Sequence, residues 1–306
     1  MASRRQAGPW RRLSTERTNP ASRLLDRLGI ARTVALMQRE DRRVLAALTA
    51  ARPAIVRAAE LLRACYRSGG TCYLFGAGTS GRLAVLEAAE LPPTFGTDPR
   101  RVRAVIAGGR GAVFRAREGA EDRASEGARG ASPARPGDLA VGVSASSITP
   151  FVRGALAMAR ARGASTVLVT ASGSPGAART AEIVVRLDVG PEVVAGSTRL
   201  KAGTATKLAL NQITTSAFAA SGKVYGPWMV DLRRGSAKLK DRAVRIVAAA
   251  SGVSPRRARA LLARAGGEVK TAILMGRTGA TARRARALIL AARGDLRTAL
   301  GKQSPR

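Results

Sequence analysis

The chain of 306 residues contains no histidine. That absence excludes serine–histidine triads, HExxH zinc sites and imidazole acid–base catalysis. Proton transfer must then fall to carboxylates, lysine, tyrosine or water. Cysteine is almost absent as well: Cys65 and Cys72 are the only two, with neither metal-ligand nor disulfide-framework spacing. No metal site is expected, and a reduced, cytoplasmic setting is the simplest reading. No apolar run approaches the roughly 18 residues that span a membrane. The opening stretch, MASRRQAGPWRRLS, has arginines but no apolar segment of the kind a secretory signal needs. Residues 1–14 are therefore expected to form a disordered basic tail.

Acidic residues are few, 20 against 53 basic ones, for a formal charge of +33. Such a balance suggests a nucleic-acid partner, but its distribution argues otherwise. Only seven of the basic residues are lysine, and the arginines are scattered along the whole chain beside abundant alanine. That pattern fits GC-rich codon usage on an ordinary solvated surface. A binding footprint would cluster on one element and interleave with aromatics, which make up only 3% of the chain. Nucleic acid and membrane are accordingly not expected partners.

What is present is an alternation of helical and apolar stretches. Residues 21–70 carry apolar residues at helical spacing and end in a glycine pair, which reads as two or three helices with Pro53 opening the last. Five short runs follow: TCYLFGAG, RVRAVIAGG, DLAVGVSAS, STVLVTAS and EIVVRLDV. Each is apolar throughout rather than alternating, as expected of strands buried on both faces of a parallel sheet. They predict an α/β fold, a doubly wound five-stranded parallel sheet preceded by N-terminal helices. From 236 the strands stop, and short helices closed by glycine predict a small C-terminal all-helical appendage, with Ser254-Pro255 as an N-cap and first-turn pair. The expected organisation is thus 1–14 tail, 15–235 α/β domain with N-terminal helices and 236–306 small helical domain.

GAGTSG, residues 76–81, fits the G-x-G-x-x-G pattern after a strand and before a helix. A nicotinamide site also needs an acidic residue at the end of the second strand, and VIAGGR offers none; Arg110 would at most favour a 2′-phosphate. The loop carries two hydroxyls, Thr79 and Ser80, beside the backbone of Gly78, which suits a phosphate monoester. A second hydroxyl cluster, Ser144, Ser146, Ser147 and Thr149 in SASSITP, follows the third strand. Two such loops at the carboxyl edge of one parallel sheet converge on one crevice, an arrangement similar to that of sugar-isomerase (SIS) domains.

Longer blocks sharpen the resemblance. GAGTSGRLAVLEAAELPPTFG, IAGGRGAVFRAREGAED, GPEVVAGSTRLKAGTATKLALNQITTSAF and GKVYGPWMVDL, with the early TERTNPAS and REDRRV, resemble the N-acetylmuramic acid 6-phosphate etherase family over nearly the whole chain. The related glucokinase regulatory protein shares several blocks. The resemblance implies a lyase of amino-sugar and peptidoglycan recycling that removes a D-lactyl group from carbon 3 by elimination and water addition. It implies a phosphosugar substrate, no cofactor and, as is common for the fold, a homodimer. It maps the family's acid onto Glu90, in AELPPT, and its partner onto Glu121, in EGAED. Glu90 is expected at the end of a helix stopped by Pro92-Pro93, where the helix dipole disfavours a carboxylate and suits an acid. Glu118 is expected to share a helical face with Glu121 and, by the resemblance, to contact sugar hydroxyls. Glu87 is read as structural. GSTRLKAGT adds Ser197, Thr198 and Lys201 before a further helix, with Lys201 as a point charge for the substrate. One departure stands out: where the family usually has ASGRTP this chain has ASSITP, so Ser147 replaces a glycine and Ile148 an arginine. A non-catalytic phosphosugar sensor and an aldose–ketose isomerase are the alternative functions.

Overall fold

The computed structural model describes residues 13–172, 179, 181–232 and 237–301. Helix α1 spans Gly29–Arg67 and buries Leu36, Glu40, Val44, Leu48, Ala51, Ile55, Ala58 and Leu62 at intervals of three and four residues. It is a single helix, where two or three were expected. Pro53 lies inside it, on the exposed side. There the carbonyl that Pro53 leaves without a donor can tilt toward water, so the proline is absorbed without breaking the helix.

The sheet is formed by β1 (Cys72–Gly76), β2 (Val102–Ile106), β3 (Leu139–Val143), β4 (Ser165–Thr170) and β5 (Ile183–Arg186), each within one of the five expected runs. All four pairings are parallel and the order is β2-β1-β3-β4-β5. Helices α2 (Gly78–Phe95), α3 (Ala124–Ala131) and α4 (Pro150–Ala161) connect the strands, and α5 (Lys201–Ala219) follows them. Tyr73 and Phe75 of β1 pack with Phe151, Val152, Leu156 and Leu168 into one apolar layer. On the sheet's other side α1 lies against β1, β3 and β5. Both faces are thus covered, which is why the strands read as continuous apolar runs.

The molecule forms two compact units: Met1–Ala88 with Arg100–Thr214, and Ala89–Pro99 with Thr215–Arg306. The second therefore takes in more than the residues after 235. Phe95 stacks on Phe218 with ring centroids 5.2 Å apart, and Gly96 (φ 61°) lets the backbone press against the carbonyl of Asp231, where a β-carbon would collide. This unit also contains a hairpin that had no counterpart among the expected strands, β6 (Val224–Tyr225) with β7 (Trp228–Met229). Helices α6 (Ala237–Ser251), α7 (Pro255–Arg264), α8 (Val269–Thr278), α9 (Ala282–Ala291) and α10 (Leu296–Leu300) complete it. Most of the expected tail, residues 1–12, lies outside the described residues; Leu13 is buried and Ser14 begins a short 3-10 turn.

An internal repeat becomes visible in this unit. Residues 254–273, SPRRARALLARAGGEVKTAI, recur at 281–300 as TARRARALILAARGDLRTAL. The structure repeats with the sequence. Ser254 and Thr281 cap α7 and α9 by accepting from the amides of Arg257 and Arg284. The amides of Gly267 and Gly294 then close the two helices onto Leu262 and Ile289. At the turn preceding that bond, Gly266 (φ 63°) in the first copy is replaced by Arg293 (φ 53°) in the second.

Candidate active site

In a sheet of order 2-1-3-4-5 the chain reverses direction between β1 and β3, and a crevice opens at their carboxyl ends. The glycine loop follows β1. A β-carbon on Gly76 would sit 2.6 Å from the Gly81 amide, and one on Gly81 would sit 2.5 Å from Ile106, so these two glycines let α2 start directly against the strands. Helix α2 begins at Gly78 (φ 53°), which leaves the first amides without intrahelical partners and with the positive end of the helix dipole behind them. After β3, the buried Ser144 hydroxyl bonds to Thr149 Oγ1 at 2.7 Å, and the Ala145 carbonyl accepts from the Ala171 amide and the Thr170 hydroxyl, both at 3.1 Å. Pro150 then opens α4.

These loops enclose a cavity of about 340 Å³. The glycine loop supplies Gly78, Thr79 and Ser80, and the β3 loop supplies Ser146 and Thr149. Glu121 and Asp122 form another wall, and Gly196 and Thr198 approach from the segment before α5. The remaining wall is Leu13, Thr15 and Glu16, which carry no local signal in the sequence beyond their place in a family-like block. The Gly196 amide holds it in place by donating to the Thr15 carbonyl at 3.0 Å. Among the described residues three carboxylates but no lysine or arginine line the cavity. An anion there meets amides, hydroxyls and a helix dipole, while the carboxylates are left to face hydroxyls or protons.

Glu118 and Glu121 do not share a helix: residues 118–122 form turns, with Gly119 at φ 70°. The Glu121 carbonyl accepts from the Phe151 amide at 2.9 Å, in the first turn of α4. Gly127 and Gly154 bring α3 and α4 into backbone contact, because a β-carbon on either would collide with the carbonyl of Phe151 or Ala124. The backbone that carries Glu121 is thereby fixed relative to the Ser146–Thr149 loop. On its other side Glu121 lines a second cavity of about 140 Å³, which also contains Glu118.

Four of the expected site residues lie elsewhere. Lys201 is buried, and its ammonium bonds to Glu40 Oε2 at 2.6 Å and the Pro191 carbonyl at 2.7 Å, so its charge is spent inside the fold. Asn19 donates to the same Glu40 oxygen at 2.8 Å, and Glu192 accepts from the amides of Lys201 and Ala202. Burial alone would raise the Glu40 carboxyl, but the bonds from Lys201 and Asn19 outweigh it and hold it below the usual value; burial raises Glu192. Ser197 lies between two lining residues without lining the cavity itself. Ser147 is buried at φ 64°, its hydroxyl without a partner among the described residues and outside the lining. Glu90 is exposed and lines neither cavity. Helix α2 runs through Pro92 and Pro93 to Phe95 instead of stopping before them. Glu87 is buried and accepts from the Thr214 hydroxyl, a structural role. Among the described residues, no group of three or more cysteines or carboxylates is placed to hold a metal ion, and no helix is long and apolar enough to cross a membrane.

Comparison with known proteins adds to the geometry. Residues 54–160 match the family model of the glucokinase regulatory protein N-terminal SIS domain. An N-acetylmuramic acid 6-phosphate etherase of Gloeobacter violaceus is 49% identical over 268 residues, covering 86% of this chain and 87% of that protein. Its counterpart in Rubrobacter xylanophilus is 49% identical over 267 residues, covering 86% and 88%. Among solved structures, a phosphoheptose isomerase from Francisella tularensis aligns with a TM-score of 0.49 at 16% identity, over 62% of this chain and 97% of that one.

Proposed function

The chain belongs to the N-acetylmuramic acid 6-phosphate etherase family, and from that premise we propose that it cleaves the D-lactyl ether of N-acetylmuramic acid 6-phosphate. The products are N-acetylglucosamine 6-phosphate and D-lactate. The observation that carries the reading is Glu121, set on the wall of a cavity whose other walls are the Gly78–Ser80 amides and hydroxyls and the Ser146 and Thr149 hydroxyls. The 6-phosphate is assigned to the glycine loop and the hydroxyl loop, where the helix dipole favours an anion.

In the opened sugar the C1 aldehyde acidifies the proton on C2. Glu121 takes that proton, and the freed electron pair forms a C2–C3 double bond as the C3–O bond breaks. The ether oxygen leaves with its electrons and takes a proton from Glu90, departing as D-lactate. Water then adds, its hydroxyl to C3 and a proton to C2. Glu90 lies outside both cavity linings, so its part is assigned to a homodimer in which an exposed carboxylate of one protomer reaches the site of its partner. The test is direct: purified protein given N-acetylmuramic acid 6-phosphate should release D-lactate and N-acetylglucosamine 6-phosphate in equal amounts. Absence of both would leave a phosphosugar sensor as the better reading.

A further inference from the structure

Among the described residues the 340 Å³ cavity has no cationic side chain on its lining, yet the substrate assigned to it carries two anionic groups, a phosphate and the carboxylate of the lactyl ether. The guanidiniums are next door. The 140 Å³ cavity shares Ala77, Gly78 and Glu121 with the larger one and adds Arg82, Arg117 and Glu118. We propose that this smaller cavity receives the lactyl group, its carboxylate held by Arg117 and Arg82, an assignment that rests on the etherase reading for the identity of the group.

Three features support it. The first is availability of charge. Among the described residues neither Arg82 nor Arg117 forms an ion pair, and the carboxylates of Glu118 and Glu121 share the lining without approaching either guanidinium to ion-pair distance. Arg82 is fixed by its Nε, which donates to the Val113 carbonyl at 2.8 Å, leaving its terminal nitrogens for a ligand. Arg117 lies across the glycines that follow β2, where a β-carbon on Gly111 would come to 3.0 Å from Arg117 Nη2 and one on Gly108 to 3.1 Å from its Cδ. Guanidinium against carboxylate is a strong planar match.

The second is size and polarity. A cavity of about 140 Å³ exceeds several-fold the roughly 10–15 Å³ that one water needs, room for a group of about five heavy atoms. The lactyl group has that many beyond its ether oxygen, and Ala107, Ala112 and Ala120 offer its methyl an apolar wall. The third is position. Glu121 faces both cavities, so a sugar in one and its 3-substituent in the other would place C2 and C3 beside this carboxylate.

Arg117 is exposed and unpaired, so Arg117→Ala is expected to fold normally. Two measurements on the full chain separate this assignment from the reaction itself. In turnover, Arg117→Ala should lower kcat/KM for N-acetylmuramic acid 6-phosphate by about 10- to 100-fold, the range of a hydrogen bond to a charged group. The inhibition constant for N-acetylglucosamine 6-phosphate, which lacks the lactyl group, should stay within about threefold, and Arg117→Lys should recover part of the loss. In binding, saturation-transfer NMR should show D-lactate contacting the parent protein and not Arg117→Ala. If D-lactate contacts the parent in an Arg117-dependent way while no ether is cleaved, the pocket stands and the etherase reading fails. An equal loss of affinity for N-acetylglucosamine 6-phosphate would overturn the assignment, as would an unchanged kcat/KM.

Discussion

Ser147→Gly should make the protein more stable. Ser147 combines two costs at one position: a left-handed backbone at φ 64°, and a buried hydroxyl without a hydrogen-bond partner among the described residues. The left-handed conformation costs a residue with a β-carbon about 1–2 kcal/mol, and an unsatisfied buried polar group about 1–3 kcal/mol. Against these stand the greater chain entropy of unfolded glycine, about 0.4–1 kcal/mol, and the loss of one small buried side chain, about 0.8 kcal/mol. The balance is a gain of about 2 kcal/mol, with the terms spanning roughly 0–4, or roughly 4–8 °C in Tm at the central value for a unit of this size. Ser147→Ala removes only the hydroxyl and should gain less. Scanning calorimetry of the three proteins, followed by urea denaturation, measures the order directly. Ser147 does not line the cavity, so KM should move by less than about threefold. A destabilised Ser147→Gly, or an alanine variant more stable than the glycine one, would refute the reasoning.

Further outcomes follow from the same contacts. Arg293→Gly should stabilise the helical unit by about 0.5–1 kcal/mol, because its counterpart in the first repeat is Gly266 at nearly the same φ; calorimetry checks it, and a loss of stability counts against the repeat alignment. Gly127→Ala should destabilise by about 1–3 kcal/mol and impair turnover, since the new methyl meets the carbonyl of Phe151, whose amide holds Glu121; unchanged urea midpoint and rate would show that α3 and α4 are not so closely packed. Glu40 has a carboxyl held below its ordinary 4.5, so its stabilisation is present above about pH 4.5 and fades as pH falls through the folded value. The stability difference between parent and Glu40→Gln should therefore shrink on acidification, the opposite of the trend expected for Glu192, and a difference that grows in acid would contradict the Lys201–Glu40 pair. Mixing inactive Glu90→Gln and Glu121→Gln proteins should restore about a quarter of parent activity if the two carboxylates meet across a two-fold interface; no recovery after subunit exchange would confine the site to one chain.

Much of the fold was legible because burial on both sheet faces writes an unbroken apolar run for each strand. Exceptions came where tertiary context overrides a local rule. Pro53 and the Pro92-Pro93 pair normally interrupt helices, yet both α1 and α2 continue through them. Glu118 and Glu121 have helical spacing, but Gly119 at positive φ turns the chain between them. The glycine and hydroxyl loops were legible through their place at strand ends. Lys201 was not, because a lysine beside a candidate anion site looks the same in sequence whether it faces a ligand or a buried glutamate 161 positions away. Glu16 was missed for the converse reason: nothing local marks a residue that reaches a cavity built from strands far along the chain.

The central claim is that the bond from C3 to the ether oxygen breaks, with elimination at the Glu121 cavity. Running the reaction in water labelled with oxygen-18 tests it most directly. The account predicts a labelled oxygen at C3 of the N-acetylglucosamine 6-phosphate, apart from any exchange at the C1 aldehyde, and none incorporated by cleavage into the D-lactate, with both the C3 label and turnover lost in Glu121→Gln. Label placed in the hydroxyl oxygen of lactate would mean attack on the lactyl side and would contradict it.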